Sequence, residues 1–274
     1  MNKLNNNNSI KYKILHIFGA FFLVFAVVCA MMLGRYLLFG KKQTPKIPNF
    51  PDIDTGNGKD HVDVLPGSLD PDYGYDSPVD FETLRKTNSD IYAWLVIPGS
   101  EISQPVLQRV GDDDYYLDHG PDGQQSDDGA LYTQASRNRF DFSDKCTVIY
   151  GHKMNSGAMF GTLQIFFSDP DNFSRYNEVV IYTPDREIRY KVFAAVPYDN
   201  RHILMSFDFS SEWGYMSFID SLYSSRSLGA NLDEAMEFDY NNNILILSTC
   251  LRGNLNKRYL VCAVEVKEPS DSVT

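Results

Sequence analysis

Ile244-Leu245-Ile246-Leu247-Ser248-Thr249-Cys250 runs into Leu251-Arg252-Gly253-Asn254, and Arg258-Tyr259-Leu260-Val261-Cys262-Ala263-Val264-Glu265-Val266 follows. The unbroken apolar run at Ile244–Leu247 reads as a buried strand. The polar residues and glycine after Cys250 read as a turn. Seven residues separate Cys250 from Arg258. That length suits a hairpin-like loop, so the two residues can face each other across adjacent antiparallel strands. A strand-end cysteine beside a polar loop can be partly exposed, and exposure with a neighbouring positive charge is what a reactive thiol needs. A guanidinium there can steady either the thiolate or a developing oxyanion. Arg252 competes for the same role from the turn, where its direction is less fixed. On this segment alone, a purely structural strand-end cysteine explains the pattern as well.

A second strand ends in the same way. Thr147-Val148-Ile149-Tyr150 is followed by Gly151-His152-Lys153-Met154. The glycine permits a tight backbone turn and leaves room near the imidazole. An ordinary loop histidine is the alternative. His16, His61, His119 and His202 lie in the N-terminal apolar run, a linker and polar loops, and none follows a buried strand. Further strand patterns fall at Ile91–Ile97, Ser103–Leu107, Ala130–Thr133, Cys146–Tyr150, Val179–Thr183 and Ile188–Pro197. With Ile244–Thr249 and Tyr259–Val266 they make about eight short strands separated by turn signals, the pattern of a closed barrel or sandwich. Asp80 or Ser77 is placed to cap a short helix through Phe81, Leu84 and Arg85. Trp213, Met216, Phe218, Ile219 and Leu222 recur at helical spacing, so an amphipathic helix interrupts the late strands. That helix is expected to cover a surface with Trp213 and Phe218.

The rest of the 274-residue chain divides by composition. Residues 1–13 form a short tail, expected to be cytoplasmic. Ile14–Gly34 is almost entirely apolar and long enough to span a bilayer as a helix, so residues 14–40 read as a signal anchor. A cleaved signal peptide is the alternative, against which stand the length of the run and the poor cleavage site at Gly34-Arg35-Tyr36. Residues 41–78 are rich in Pro, Gly and Asp and read as an extended linker. The folded domain is expected over 79–274. The formal net charge of −11 repels phosphate backbones and argues against a nucleic-acid partner. The four cysteines form no CxxC pair and no zinc spacing with histidine. Cys146 and Cys262 read as small core residues, and the sequence leaves a disulfide among Cys146, Cys250 and Cys262 open. The acidic runs Asp112–Asp114 and Asp127-Asp128 lack EF-hand spacing and read as solvated loops.

Taken together, Leu247-Ser248-Thr249-Cys250 resembles the sortase TC signature, Val148–His152 the sortase histidine segment, and Arg258–Val261 its arginine strand. The order of His, Cys and Arg agrees. Within that family the chain is most similar to class B, through Asp90–Gly99, Asp114-Tyr115-Tyr116-Leu117, Met159–Leu163 and the helix around Trp213–Ser225. Thr133-Gln134 departs from it, because many relatives carry an acidic residue after that strand. The resemblance implies a mainly β, closed eight-stranded barrel with an N-terminal helix and a helix inserted between the sixth and seventh strands. It implies a membrane-anchored cysteine transpeptidase acting outside the cytoplasmic membrane of a Gram-positive bacterium. Cys250 would be the nucleophile, His152 the proton carrier and Arg258 the holder of substrate and oxyanion. Leu117, Ser248, Thr249 and Tyr198 would contact substrate. The donors would be surface proteins bearing a C-terminal sorting signal, and the acceptor a peptidoglycan precursor amine. The chemistry needs no metal or organic cofactor. A cysteine peptidase that mainly hydrolyses and a pilin-polymerising sortase would use the same residues. A tethered binding module without an active site would instead keep Cys250 buried and far from His152.

Overall fold

The computed structural model describes residues 75–267 apart from 155, 156, 158 and 226. The tail, the anchor and the linker as far as residue 74 therefore lie outside the described residues. Among the described residues, no helix is long and apolar enough to cross a membrane. The domain opens with helix α1 (Phe81–Thr87), whose cap is Asp80 rather than Ser77. The Asp80 carboxylate accepts the Thr83 amide at 2.9 Å, which satisfies one of the free N–H groups of the first turn.

Among the described residues nine strands follow: β1 (Ile91–Val96), β2 (Ser103–Leu107), β3 (Leu131–Tyr132), β4 (Cys146–Tyr150), β5 (Glu178–Tyr182), β6 (Glu187–Asp199), β7 (Asn231–Leu232), β8 (Ile244–Leu251) and β9 (Asn254–Glu265). Their order is β5-β1-β2-β3-β4-β8-β9-β6, and β5 also pairs with β6, so eight strands close on themselves as a barrel. Closure leaves these strands without a free sheet edge. The ninth, β7, is a two-residue addition to the flank of β6. Two pairings are parallel, β2 with β3 and β4 with β8. Two short helices follow β4, α2 (Leu163–Phe167) and α3 (Pro170–Arg175). The segment between β6 and β8 holds α4 (Ile203–Ser206) and α5 (Glu212–Tyr223).

The strands feed two separate apolar clusters. Leu245 and Leu247 of β8 join Tyr259, Val261 and Ala263 of β9 in one. Ile244 and Ile246 join Leu260, Cys262 and Val264 in the other, against Tyr215, Phe218, Ile219 and Leu222 of α5. Successive side chains point to opposite faces, so one cluster fills the barrel and the other lies between its outer face and α5. This double burial explains why Ile244–Leu247 is apolar without alternation. Strand β6 shows the change along its length. Its first half alternates between buried Ile188 and Tyr190 and exposed Arg189 and Lys191, and its second half is buried without a break from Val192 to Val196.

The expectation for Trp213 is corrected. It is 80% exposed, whereas Phe218 is fully buried. The face of α5 that meets the barrel is the one bearing Tyr215, Phe218, Ile219 and Leu222, and Trp213 sits off that stripe. Strand β3 is also shorter than expected, at two residues. Asn138 supplies what it leaves unpaired on β4: its side chain donates to the Cys146 carbonyl at 2.8 Å and accepts from the Val148 amide at 3.1 Å. Cys146, Cys250 and Cys262 are all free thiols, so no disulfide forms among them.

Candidate active site

Strands β4 and β8 run parallel with Tyr150 opposite Ser248, and the Gly151 amide donates to the Ser248 carbonyl at 3.1 Å. His152 and Cys250 are each two residues beyond that pair, at the same ends of neighbouring strands. On β8 and β9 the register sets Cys250 directly opposite Arg258. The Arg258 Nη1 group points at the Cys250 sulfur across 3.7 Å. The connection is a tight turn over Arg252-Gly253, with Gly253 at φ 81°. By strand parity Cys250 and Arg258 share the outer face with Ile246 and Leu260. There they line a cleft of about 250 Å³ together with His152, Leu117, Ser248 and Thr249. Cys250 is partly exposed, while Cys146 and Cys262 are buried. Burial pushes both of those thiols well above the usual range, which keeps them protonated and unreactive.

The orientation of His152 follows from its contacts. Its Nε2 lies 2.6 Å from the Leu117 carbonyl, at the end of a short 3-10 turn (Tyr115–Leu117). A carbonyl only accepts, so Nε2 carries the proton and Nδ1 is the acceptor of the neutral ring. Leu117 thus contributes its backbone to the site as well as a half-exposed side chain. Gly129 lies directly behind the imidazole at φ 61°. A Cβ there would come within 2.8 Å of the His152 ring and 2.6 Å of the Tyr116 carbonyl. Gly151 has a different reason from the one its sequence suggests. A Cβ at Gly151 would strike Leu131 at 2.4 Å and Phe160 at 2.6 Å, so it serves core packing, and Gly129 is the glycine that makes room for the ring.

Ser248 and Thr249 are buried wall residues, and the Thr249 hydroxyl has no partner among the described residues. Tyr198 is not brought into the cleft. It packs in the α5 cluster, and its hydroxyl bonds the Ser221 hydroxyl at 2.7 Å. Arg252 also stands apart from the cleft lining, and its amide donates to the Gln164 side chain at 2.8 Å. His202, set aside by its loop position in sequence, is a cleft residue whose Nε2 meets Gln134 Oε1 at 2.8 Å. Gln134 therefore stands in the cleft as a neutral partner, at the position where the sequence departs from the family pattern. Neither Gln134 nor His202 carries a local signal for this. They meet only because the loop after β3 and the β6–β8 segment flank the same strand ends.

The sequence model of the sortase domain family matches residues 95–266. The chain belongs to the sortase family. Sortases are cysteine transpeptidases, and this sortase is of class B, as its relatives show. Sortase B of Listeria monocytogenes is 42% identical over 81 residues, 30% of this chain and 32% of the relative, so that match spans about a third of the relative's length. Sortase B of Staphylococcus aureus is 24% identical over 190 residues, 68% of this chain and 75% of the relative. The crystal structure of Clostridium perfringens sortase B superposes with a TM-score of 0.60 at 25% identity, covering 68% of this chain and 100% of that one. The closed barrel of this sortase matches that structure.

Proposed function

We propose that this sortase is a membrane-anchored transpeptidase. It cleaves a C-terminal sorting motif of secreted proteins and passes the acyl group to a peptidoglycan amine on the outer side of the membrane. The observation that carries the reading is the position of Arg258 opposite Cys250, with its guanidinium 3.7 Å from the sulfur, in a cleft shared with His152. The thiolate of Cys250 attacks the scissile carbonyl and forms a thioester. His152, held by the Leu117 carbonyl, takes the Cys250 thiol proton on Nδ1, delivers it to the leaving amine and later takes one from the incoming amine. Arg258 steadies the oxyanion of each tetrahedral intermediate. Leu117, Ser248 and Thr249 form the wall beside the scissile bond. The apolar run at 14–34 and the polar linker after it support the anchoring.

The test uses the full chain in detergent micelles with a library of sorting-type peptides and added triglycinamide. The expected products are an acyl thioester on Cys250, seen by intact-mass spectrometry, and an amide-linked transfer product. Peptide cleavage that persists in Cys250→Ala would overturn the assignment. Cleavage that yields only the free acid at saturating amine would favour a hydrolase.

A further inference from the structure

We infer that Asp114 is the binding residue for the acceptor, a primary ammonium group, in the second half of the reaction. This inference rests on the function proposed above and names the chemistry of its second substrate. Asp114 lines the same cleft as His152, Cys250 and Arg258. It stands at the N-terminal cap of the Tyr115–Leu117 turn, yet its side chain makes no capping hydrogen bond. Its acidic neighbours are engaged: Asp112 accepts the Asp114 amide at 3.3 Å, and Asp113 accepts the Ser136 amide at 3.0 Å. The Asp114 carboxylate has no hydrogen bond or ion pair among the described residues. The other carboxylate of the cleft, Asp199, is taken by the Arg201 guanidinium at 2.6 to 2.9 Å.

The cleft is also polarised. Tyr132 and Tyr150 stack in its wall with ring centroids 5.5 Å apart. Burial raises both phenols, Asp114 adds to the rise and Arg258 opposes it, so charges of both signs reach the same two rings. Arg258 belongs to the sulfur and the oxyanion. Asp114 is three residues from Leu117, whose carbonyl holds His152, so a negative charge sits on the element that positions the proton carrier. A primary amine at neutral pH arrives as an ammonium ion, and a carboxylate without a partner is the group that attracts it. The bound ammonium loses one proton to water. The neutral amine attacks the thioester carbonyl, the C–N bond forms and the C–S bond to Cys250 breaks. The second proton passes to Nδ1 of His152, and the electron pair leaves on the Cys250 sulfur.

The experiment compares two nucleophiles in the full chain at fixed sorting peptide. Triglycinamide is cationic and carries no carboxylate, while hydroxylamine is largely uncharged at neutral pH. Transfer is measured against nucleophile concentration for the wild type, Asp114→Asn and Asp114→Glu. In Asp114→Asn the selectivity for triglycinamide over hydroxylamine is expected to fall about fivefold, the size of one ion pair at the edge of solvent. Asp114→Glu keeps the charge and is expected to retain most of that selectivity. Unchanged selectivity in Asp114→Asn, or an equal loss with both nucleophiles, would overturn the inference. Absence of any acyl-enzyme in the wild type would instead overturn the function on which it rests.

Discussion

Cys250 and Arg258 are a cross-strand pair, and the geometry of that pair makes their roles separable. A point charge suffices to favour a thiolate, whereas an oxyanion held by directed hydrogen bonds needs the planar fork of arginine. Arg258→Lys is therefore expected to lower turnover by about a hundredfold to a thousandfold, the usual effect of losing one oxyanion donor. The pH dependence of iodoacetamide alkylation at Cys250 is expected to change little. Arg252→Ala is expected to affect neither measurement, because Arg252 does not line the cleft. A severe defect in Arg252→Ala beside a near-normal Arg258→Lys would reverse the assignment. The same alkylation mapped by mass spectrometry should mark Cys250 in the folded protein and spare Cys146 and Cys262. Those two are buried with raised thiol pKa and should label only after unfolding. Gly129→Ala tests the support behind His152. Its positive φ and the clash with the ring and the Tyr116 carbonyl predict destabilisation of more than about 1 kcal/mol in a denaturant titration. Turnover should fall by more than the loss of folded protein explains. Cys250, His152 and Arg258 are legible in sequence, because each stands where an apolar strand pattern meets a polar stretch, although the structure extends β9 back to Asn254 and sets Arg258 inside the strand. Gly129 and Asp114 are not. Their local sequence is that of any acidic turn, and only the contact with His152 or the place in the cleft sets them apart.

At the level of elements, β4 and α5 hold the outer half of the domain. Asn138 takes the place of a strand neighbour for β4. Asn138→Ala leaves the Val148 amide and the Cys146 carbonyl buried without that partner, at about 1–3 kcal/mol for each unsatisfied group. Urea unfolding should register the loss, and a change below about 0.5 kcal/mol, the scale of a surface substitution, would mean that the two groups find other partners. In α5, Phe218→Ala should cost about 3–5 kcal/mol, the range for a fully buried aromatic, whereas Trp213→Ala should stay within about 0.5 kcal/mol. The strand positions are legible from apolar runs and turn residues, and so is the helical period of α5. Which stripe of that helix faces inward is not. Trp213 and Phe218 are both large aromatics, and the choice depends on where the outer face of β6, β8 and β9 lies. The short helices α2, α3 and α4 are too brief to show a period. Strand β3 has two residues, and the Asn138 side chain bonds β4 backbone groups that a longer strand would pair.

For the whole molecule, the described strands all lie between Ile91 and Glu265, and both apolar clusters are built from residues of that stretch. A chain lacking residues 1–40 is therefore expected to be soluble and folded, with the β-rich circular dichroism spectrum and cooperative melting of the full protein in detergent. Loss of cooperative melting on that deletion would show that the N-terminal segment belongs to the folded core.

By itself, the sequence determines the β-rich class, the inserted helix, the strand-end positions of Cys250 and His152, and the hairpin that turns Arg258 back toward Cys250. These rest on interactions between residues close along the chain, where periodicity and turn chemistry act directly. Only the tertiary structure decides that β4 lies parallel to β8, which brings His152 level with Cys250. It alone sets the Leu117 carbonyl against the His152 ring, joins Gln134 to His202 and leaves Asp114 facing the cleft. Each of those contacts joins segments far apart in sequence. They exist because closing the barrel and burying both faces of β8 fix where every strand ends, and no local pattern of residues carries that information.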